Sequence, residues 1–309
     1  FKQKTAYEIR LSLVGSEMCI RDRTYTVFPF DTAEARRRRK DIADALSLPQ
    51  EITLALPGAL QMPFVLIPPG EFLMGSPPSE EFRERDEHNH YARMTRPFYL
   101  ATTPVTQEQW QSVTGTNTSR GKDAPDSPKR PVERVSWKEI NENFFPTIQA
   151  SATRGWKFRL PSEAEWEYAC RAGTETPFHF GLQISTEKLN CKEDVTSGND
   201  WKWVYKQSSG GVLRERGQTS PIHSFPPNAW GLSDMHGNVW EWCEDVYDEN
   251  FYTNQPCVDP LNLAASEERV LRGGSFNYTA RYCRAACRYH STPDSRNFSF
   301  GFRPALVIA

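Results

Sequence analysis

Hydrophobic and polar positions change period along this chain, and the changes divide it. From Asp31 to Leu48, "DTAEARRRRKDIADALSL" sets Ala35, Ile42, Ala45 and Leu46 at roughly helical spacing behind an Asp start. Pro49 closes the run, so a short helix is predicted ahead of the main body. "EITLAL", "FVLIPPGEFLMGS" and "RPFYLATTPVT" read as short strands and turns punctuated by Pro and Gly. A helix is expected from Thr106 through "TQEQWQSVTG" to Gly115, followed by a polar loop, "TNTSRGKDAPDSPKRP". "VSWKEINENFFPTIQA" predicts another helix, interrupted or ended near Pro146. The strongest helical signature is "PSEAEWEYACRAG", with Ser162 as N-cap, Glu165 closing a capping box and Gly173 as stop. From residue 174 onward the helical period disappears and Gly, Pro, Asn and aromatics dominate, so the class expected is α+β with much irregular structure.

Composition narrows the picture. A chain of 309 residues, 38% hydrophobic, can bury a sizeable core. Its formal charge of -2 argues against general nucleic-acid binding, which needs an excess of Lys and Arg to replace counterions. "EARRRRK" (34 to 40) is the one dense cationic run and reads as the solvated face of a helix. No apolar run reaches the roughly 18 residues of a membrane span. The 7 cysteines are odd in number and irregularly spaced, with no C-x-x-C. They make a poor disulfide framework and point to a reducing, cytoplasmic setting. Residues 1–23, containing "YEIRLSLVGSEMCIRDR", resemble translated sequencing-adapter read-through. They are expected to be non-native, with residues 24–58 a helix-containing extension and 59–309 the main domain.

The ordered blocks "FVLIPPGEFLMGS", "FYLATTPVTQEQW", "PVERVSWKE", "FRLPSEAEWEYACRAGT", "FPPNAWGLSDMHGNVWEWCED", "RVLRGGSF" and "GFRPAL" carry a family resemblance. Over about residues 60 to 306 the chain resembles the formylglycine-generating enzyme or sulfatase-modifying-factor family. The resemblance implies a modified C-type lectin fold, often calcium-stabilised. Such a fold hosts both cysteine-dependent oxidases and pure ligand-binding proteins, so function has to be argued from the site.

In "DMHGNVWEW", Asp234 and Glu241 offer carboxylates, and Gly237 bends the chain so that carbonyls can turn inward. Calcium takes six to eight oxygens of this mixed kind. The resemblance implies a calcium site made by the side chains of Asp234 and Glu241 with the carbonyls of Gly237 and Val239. A second calcium site, in "LNCKEDVTSGNDWKW", departs from the family spacing.

The family's oxidase uses two cysteines with four residues between them to hold copper(I) and activate oxygen. Here "YCRAACRYH" separates Cys283 and Cys287 by three. Aligned from "RGGSF", Cys283 falls on the first catalytic cysteine, whereas aligned from "TPDS" the second falls on Ala285, so about three residues are missing between the two anchors. Cys283 is therefore read as a structural thiol, and as catalytic, with copper, only under the oxidase alternative.

Residues 276 to 300, "FNYTARYCRAACRYHSTPDSRNFSF", contain no Lys, Glu, Gln, Met or Trp. Those types make up about a fifth of the chain, so roughly five were due. They are also residues that an AAY asparagine codon does not become when its adenines are randomised. The pattern resembles the variable region of a diversity-generating retroelement target protein. Tyr, Phe, Ser, Asn and His make an adaptable binding surface. On this reading Phe276, Asn277, Tyr278, Tyr282, Cys287, Tyr289, His290, Ser291, Asn297, Phe298, Ser299 and Phe300 are candidate contacts for a protein or other macromolecular ligand. Arg272, Gly273, Gly274, Arg284, Pro293, Asp294, Gly301 and Arg303 are the expected scaffold. Six rings, Phe276, Tyr278, Tyr289, His290, Phe298 and Phe300, are expected to form one exposed patch. His88 and His90, in the charged stretch "ERDEHNHYAR", read as solvated surface.

Overall fold

The computed structural model describes residues 25–150, 155–182, 184–185, 187–192, 217–253 and 257–308. The segment 1–23, and the part of "LNCKEDVTSGNDWKW" from residue 193 on, lie outside the described residues. Helices begin where the capping chemistry places them. Asp31 accepts from Glu34 N at 2.8 Å to open α1 (Thr32–Leu46). Thr106 and Gln109 form a capping box before α2 (Gln107–Thr114), which Gly115 ends at φ 76°. A second box, Ser136 with Glu139, opens α3 (137–149). The expected interruption is a π-helical turn, Ile140–Phe144, directly ahead of Pro146, which has no N–H for the helical ladder. Ser162 and Glu165 open α4 (Glu163–Arg171).

The strands are β1 (Glu51–Ala55), β2 (Gln61–Ile67), β3 (Gly70–Met74), β4 (His90–Met94), β5 (Phe98–Ala101) and β6 (Trp156–Arg159). The second half adds β7 (Trp240–Val246), β8 (Cys257–Val258), β9 (Arg269–Arg272), β10 (Arg288–Ser291), β11 (Phe300–Gly301) and β12 (Ala305–Ile308). They form three small sheets, ordered β1-β2-β5-β12-β6, β10-β9-β7-β11 and β3-β4-β8. The largest is buried on both faces along its inner strands β2 and β5. Phe64 and Leu66 of β2, with Tyr99 and Ala101 of β5, enter one apolar cluster. Their alternates Val65, Ile67, Phe98 and Leu100 enter another. Successive strand side chains point to opposite faces, so an unbroken apolar run such as "FVLI" suits a strand covered on both sides.

The extension is docked rather than loose. Arg38 is 1% exposed, donates to Val27 O at 2.7 Å and lies 4.1 Å over the Phe30 ring. The run "EARRRRK" is therefore not wholly a solvated face, because its arginine on the inner side of α1 packs beneath the preceding segment. Phe30 in turn sits where Gly173 leaves room: a Cβ there would lie 2.5 Å from its ring. Among the described residues no helix is long and apolar enough to cross a membrane.

Candidate ligand-binding surface

The segment between β9 and β12 is held by buried guanidinium groups. Arg272, at the end of β9, donates to Ala285 O at 2.6 Å and Ala286 O at 3.1 Å, and its charge is met by Glu163 and Glu167 of α4. Arg284 reaches Glu87 through both oxygens, at 2.6 and 2.7 Å, and Glu80 at 2.7 Å. Arg288 is bidentate to Glu163, at 2.7 and 2.9 Å. Burial drives the Glu163 carboxyl upward, but Arg288 and Arg272 outweigh it and leave it below the usual carboxylate range. Arg303 grips Glu241 at 2.6 and 2.7 Å and also bonds Ala101 O and Ser233 O. Planar five-donor groups suit this work, tying carboxylate and main chain at once. Two glycines complete the frame. A Cβ on Gly274 would meet Cys283 Sγ at 2.4 Å, and one on Gly301 would meet Val132 O at 2.7 Å.

The candidate contacts divide on this frame. Phe276 (7% exposed), Cys287 (1%), Ser299 (0%) and Phe300 (3%) are buried, which removes them from any surface. Phe300 packs edge-on to Trp242 at 5.4 Å because β11 pairs in register with β7. Asn277, Tyr278, Tyr282, Tyr289, His290, Ser291, Asn297 and Phe298 are half-buried. The six rings thus form no open patch: two are buried, and four lie partly covered by one another and by neighbours the sequence did not single out. Tyr289 stacks on Trp240 at 5.0 Å, Tyr278 stands edge-on to Trp240 at 5.5 Å, and Tyr282 stands edge-on to Tyr278. His290 stacks on Tyr247 at 3.9 Å, and Arg120 lies over Phe298 at 5.5 Å. The result is a row of half-buried rings on edge strand β10 and the loops beside it. Asn297 has an internal task, since its carboxamide oxygen accepts from Ser299 N and Oγ.

Trp240 as a floor had a weak signal in the alternation of "VWEW". Arg120 and Tyr247 had none, because their contacts are made across distant parts of the chain. Glu133, beside Arg120, was also missed. It is 3% exposed, and burial pushes its carboxyl up to about 7.

The thiols face inward. Cys283 is 0% exposed, its Sγ donates to Thr279 O at 3.8 Å, and burial pushes it far above its ordinary range, with Cys191 and Cys287 adding to the shift. Burial pushes Cys287 up to about 12. The nucleophile and metal ligand is the thiolate, which both environments disfavour. The two sulfurs also belong to separate apolar clusters and turn to separate carbonyls, so this pair does not fit a two-thiolate copper(I) centre.

At the "DMHGNVWEW" turn, Asp234 and Glu241 are both buried. Glu241 takes Arg303 through both oxygens and Trp166 Nε1 at 2.7 Å on Oε2, which leaves a lone pair open on Oε1. Asp234 has only longer bonds, from His223 N at 3.3 Å and Asn238 Nδ2 at 3.2 Å. Burial pushes its carboxyl up to about 6 against the pull of Arg303. One guanidinium for two carboxylates leaves Asp234 short of positive charge, and a hard cation fits that deficit.

Comparison with known proteins places this architecture. The chain is 29% identical over 321 residues to the formylglycine-generating enzyme of Streptomyces coelicolor, a match covering 84% of this chain and 96% of that protein. It is 34% identical over 205 residues to the bovine formylglycine-generating enzyme, covering 63% of this chain and 50% of that longer protein. The solved structure of Treponema denticola variable protein 1 shares the fold at a TM-score of 0.63 and 24% identity, covering 83% of this chain and 99% of that one. Residues 58–308, which hold the arginine frame, the aromatic row and the Asp234 turn, match the model of the sulfatase-modifying factor enzyme 1-like domain, and the chain belongs to that family.

Proposed function

We propose that this is a non-catalytic binding protein that meets a macromolecular ligand, a protein above all, through the row formed by Tyr278, Tyr282, Tyr289, His290 and Phe298. The observation that carries this reading is the division of labour in one segment. Buried arginines and glycines fix the main chain, so the half-buried side chains among them can differ at a smaller cavity or overpacking cost than the buried ones. The biased composition of residues 276–300 agrees with this, as does the fold shared with a protein whose name calls it variable. Calcium is part of the proposal as a structural ion, held by Asp234 and the carbonyls of Gly237 and Val239, with Glu241 lending the lone pair that Arg303 leaves open. Its role is to balance the buried charge of Asp234.

The oxidase alternative rests on the kinship to formylglycine-generating enzymes and is separable by experiment. Incubated with a Cys-containing sulfatase peptide, copper(I) and a thiol reductant, the protein is expected to yield no aldehyde. Aldehyde formation that disappears in Cys283→Ser would establish the oxidase instead.

A further inference from the structure

A second concavity lies away from the aromatic row. Pro78, Arg83, His88, Asn89, His90, Tyr252 and Thr253 line a cavity of about 560 Å³. His88 and His90, expected to be solvated, are both half-buried there.

The polar groups of this cavity are fixed by the main chain around them. Arg83 donates through Nε to Ser76 O at 3.0 Å and through Nη2 to Glu87 O at 3.3 Å. No carboxylate among the described residues forms an ion pair with it. Of the buried acids nearby in sequence, Glu87 gives both its oxygens to Arg284 and one of them also to Ser76 Oγ, and Glu80 meets Arg284 as well. The guanidinium is thus held in place with its charge unbalanced. His88 Nε2 lies 3.2 Å from Glu249 O, and His90 Nδ1 lies 2.7 Å from His88 O. A carbonyl only accepts, so each of those nitrogens carries the proton and the opposite ring nitrogen is left with a lone pair. His90 Nε2 is buried and has no partner. Asn89 donates weakly to Met74 O at 3.4 Å, which leaves its carboxamide oxygen available. Tyr252 supplies an apolar wall: its ring stacks on His90 at 4.9 Å while its hydroxyl turns away to Glu163.

We propose that this cavity binds a small oxyanion-bearing molecule, with Arg83 as the charge that recognises it. The ring nitrogens of His88 and His90 that face no carbonyl, together with the Asn89 carboxamide oxygen, would accept from a ligand hydroxyl or amine. A divalent metal is disfavoured by the same facts, since the cavity wall brings a guanidinium and no carboxylate. The oxyanion is a carboxylate or a phosphate, and the cavity wall offers the same donors to both.

Calorimetric titration of the full chain with inorganic phosphate, and separately with succinate, tests this and tells the two sources apart. Saturable binding of at least one is expected, weakened at least tenfold in Arg83→Gln. Tyr289→Ala, on the aromatic row, is expected to bind as the parent does, so the outcome is independent of the proposed ligand-binding surface. The imidazole resonances of His88 and His90 in the unsubstituted protein provide a reading that needs no variant to fold, and both should move on addition of the bound anion. No saturable binding at millimolar concentration, or unmoved His88 and His90 resonances, overturns the proposal. So does binding that Arg83→Gln, folded by its melting curve, leaves unchanged.

Discussion

The arginine frame and the aromatic row interleave in one stretch of chain yet obey different physics. Arg272, Arg284, Arg288 and Arg303 are buried and bonded to carboxylates contributed by other parts of the fold. Of the half-buried rings, Tyr278, Tyr282 and Tyr289 touch chiefly one another and Trp240, while His290 stacks on Tyr247 and Phe298 lies under Arg120. A buried ion pair tolerates no partial loss, because removing one partner strands a charge away from water. A half-buried ring loses only the area it had covered. The comparison teaches that tolerance to change alternates residue by residue here, governed by where each side chain's partners lie.

The largest effect should come from the frame. Arg284→Ala would leave Glu80 and Glu87 buried without their cation, and a loss of about 3–5 kcal/mol is expected by denaturant melting. A loss below about 1 kcal/mol would remove the distinction between the two regions. Next, Phe300→Ala is expected to cost about 3 kcal/mol or more, because its ring is core against Trp242 despite its place in the biased segment. If that change costs no more than a surface substitution, Phe300 returns to the row.

Chelation probes the Asp234 turn. If calcium is held at the Asp234 turn, removing it lowers the melting temperature by mass action, and Asp234→Ala abolishes the difference. An unchanged melting curve removes the ion.

A smaller effect is expected from pH at the edge of the row. The folded Glu133 carboxyl is pushed up to about 7 from an ordinary value of 4.5, chiefly by burial. Between those values the folded state holds a proton that the unfolded state has released. Its contribution is therefore full below the unfolded value and is lost as pH rises through about 7. Stability measured across that window should fall less steeply in Glu133→Gln than in the parent. Equal slopes would show that Glu133 ionises freely when folded.

The smallest effects belong to the row itself. Tyr282→Ala and Ser291→Ala are expected to change stability by about 0.5 kcal/mol or less. A cost of about 3 kcal/mol at Tyr282 would place it in the core and break the comparison from the other side.

Much of this was legible in the sequence because it is local. Caps at Asp31, Thr106 and Ser162 and the apolar run of β2 all follow from the order of neighbouring residues, while α4 ends on a left-handed Ala172, one residue before the expected stop at Gly173. Gly274 and the arginines at 272, 284 and 303 were expected as scaffold, and they are buried. The sequence also isolated residues 276–300 through composition, which needs no coordinates.

What it left undecided depends on partners remote in the chain. Strands β8 to β12 were too short to stand out, and their pairing, like that of β7, rests on loops that return from distant segments. Phe300 and Phe298 look alike in sequence, yet one meets Trp242 in the core and the other lies under Arg120 at the rim. His88 and His90 read as solvated, yet both are half-buried, His90 against the Tyr252 ring. Local bonding is written in adjacent residues, so the sequence determined the caps, the scaffold and the biased segment. Burial is a property of what folds across from a side chain, so only the tertiary structure decided which of the candidate contacts remain at the surface.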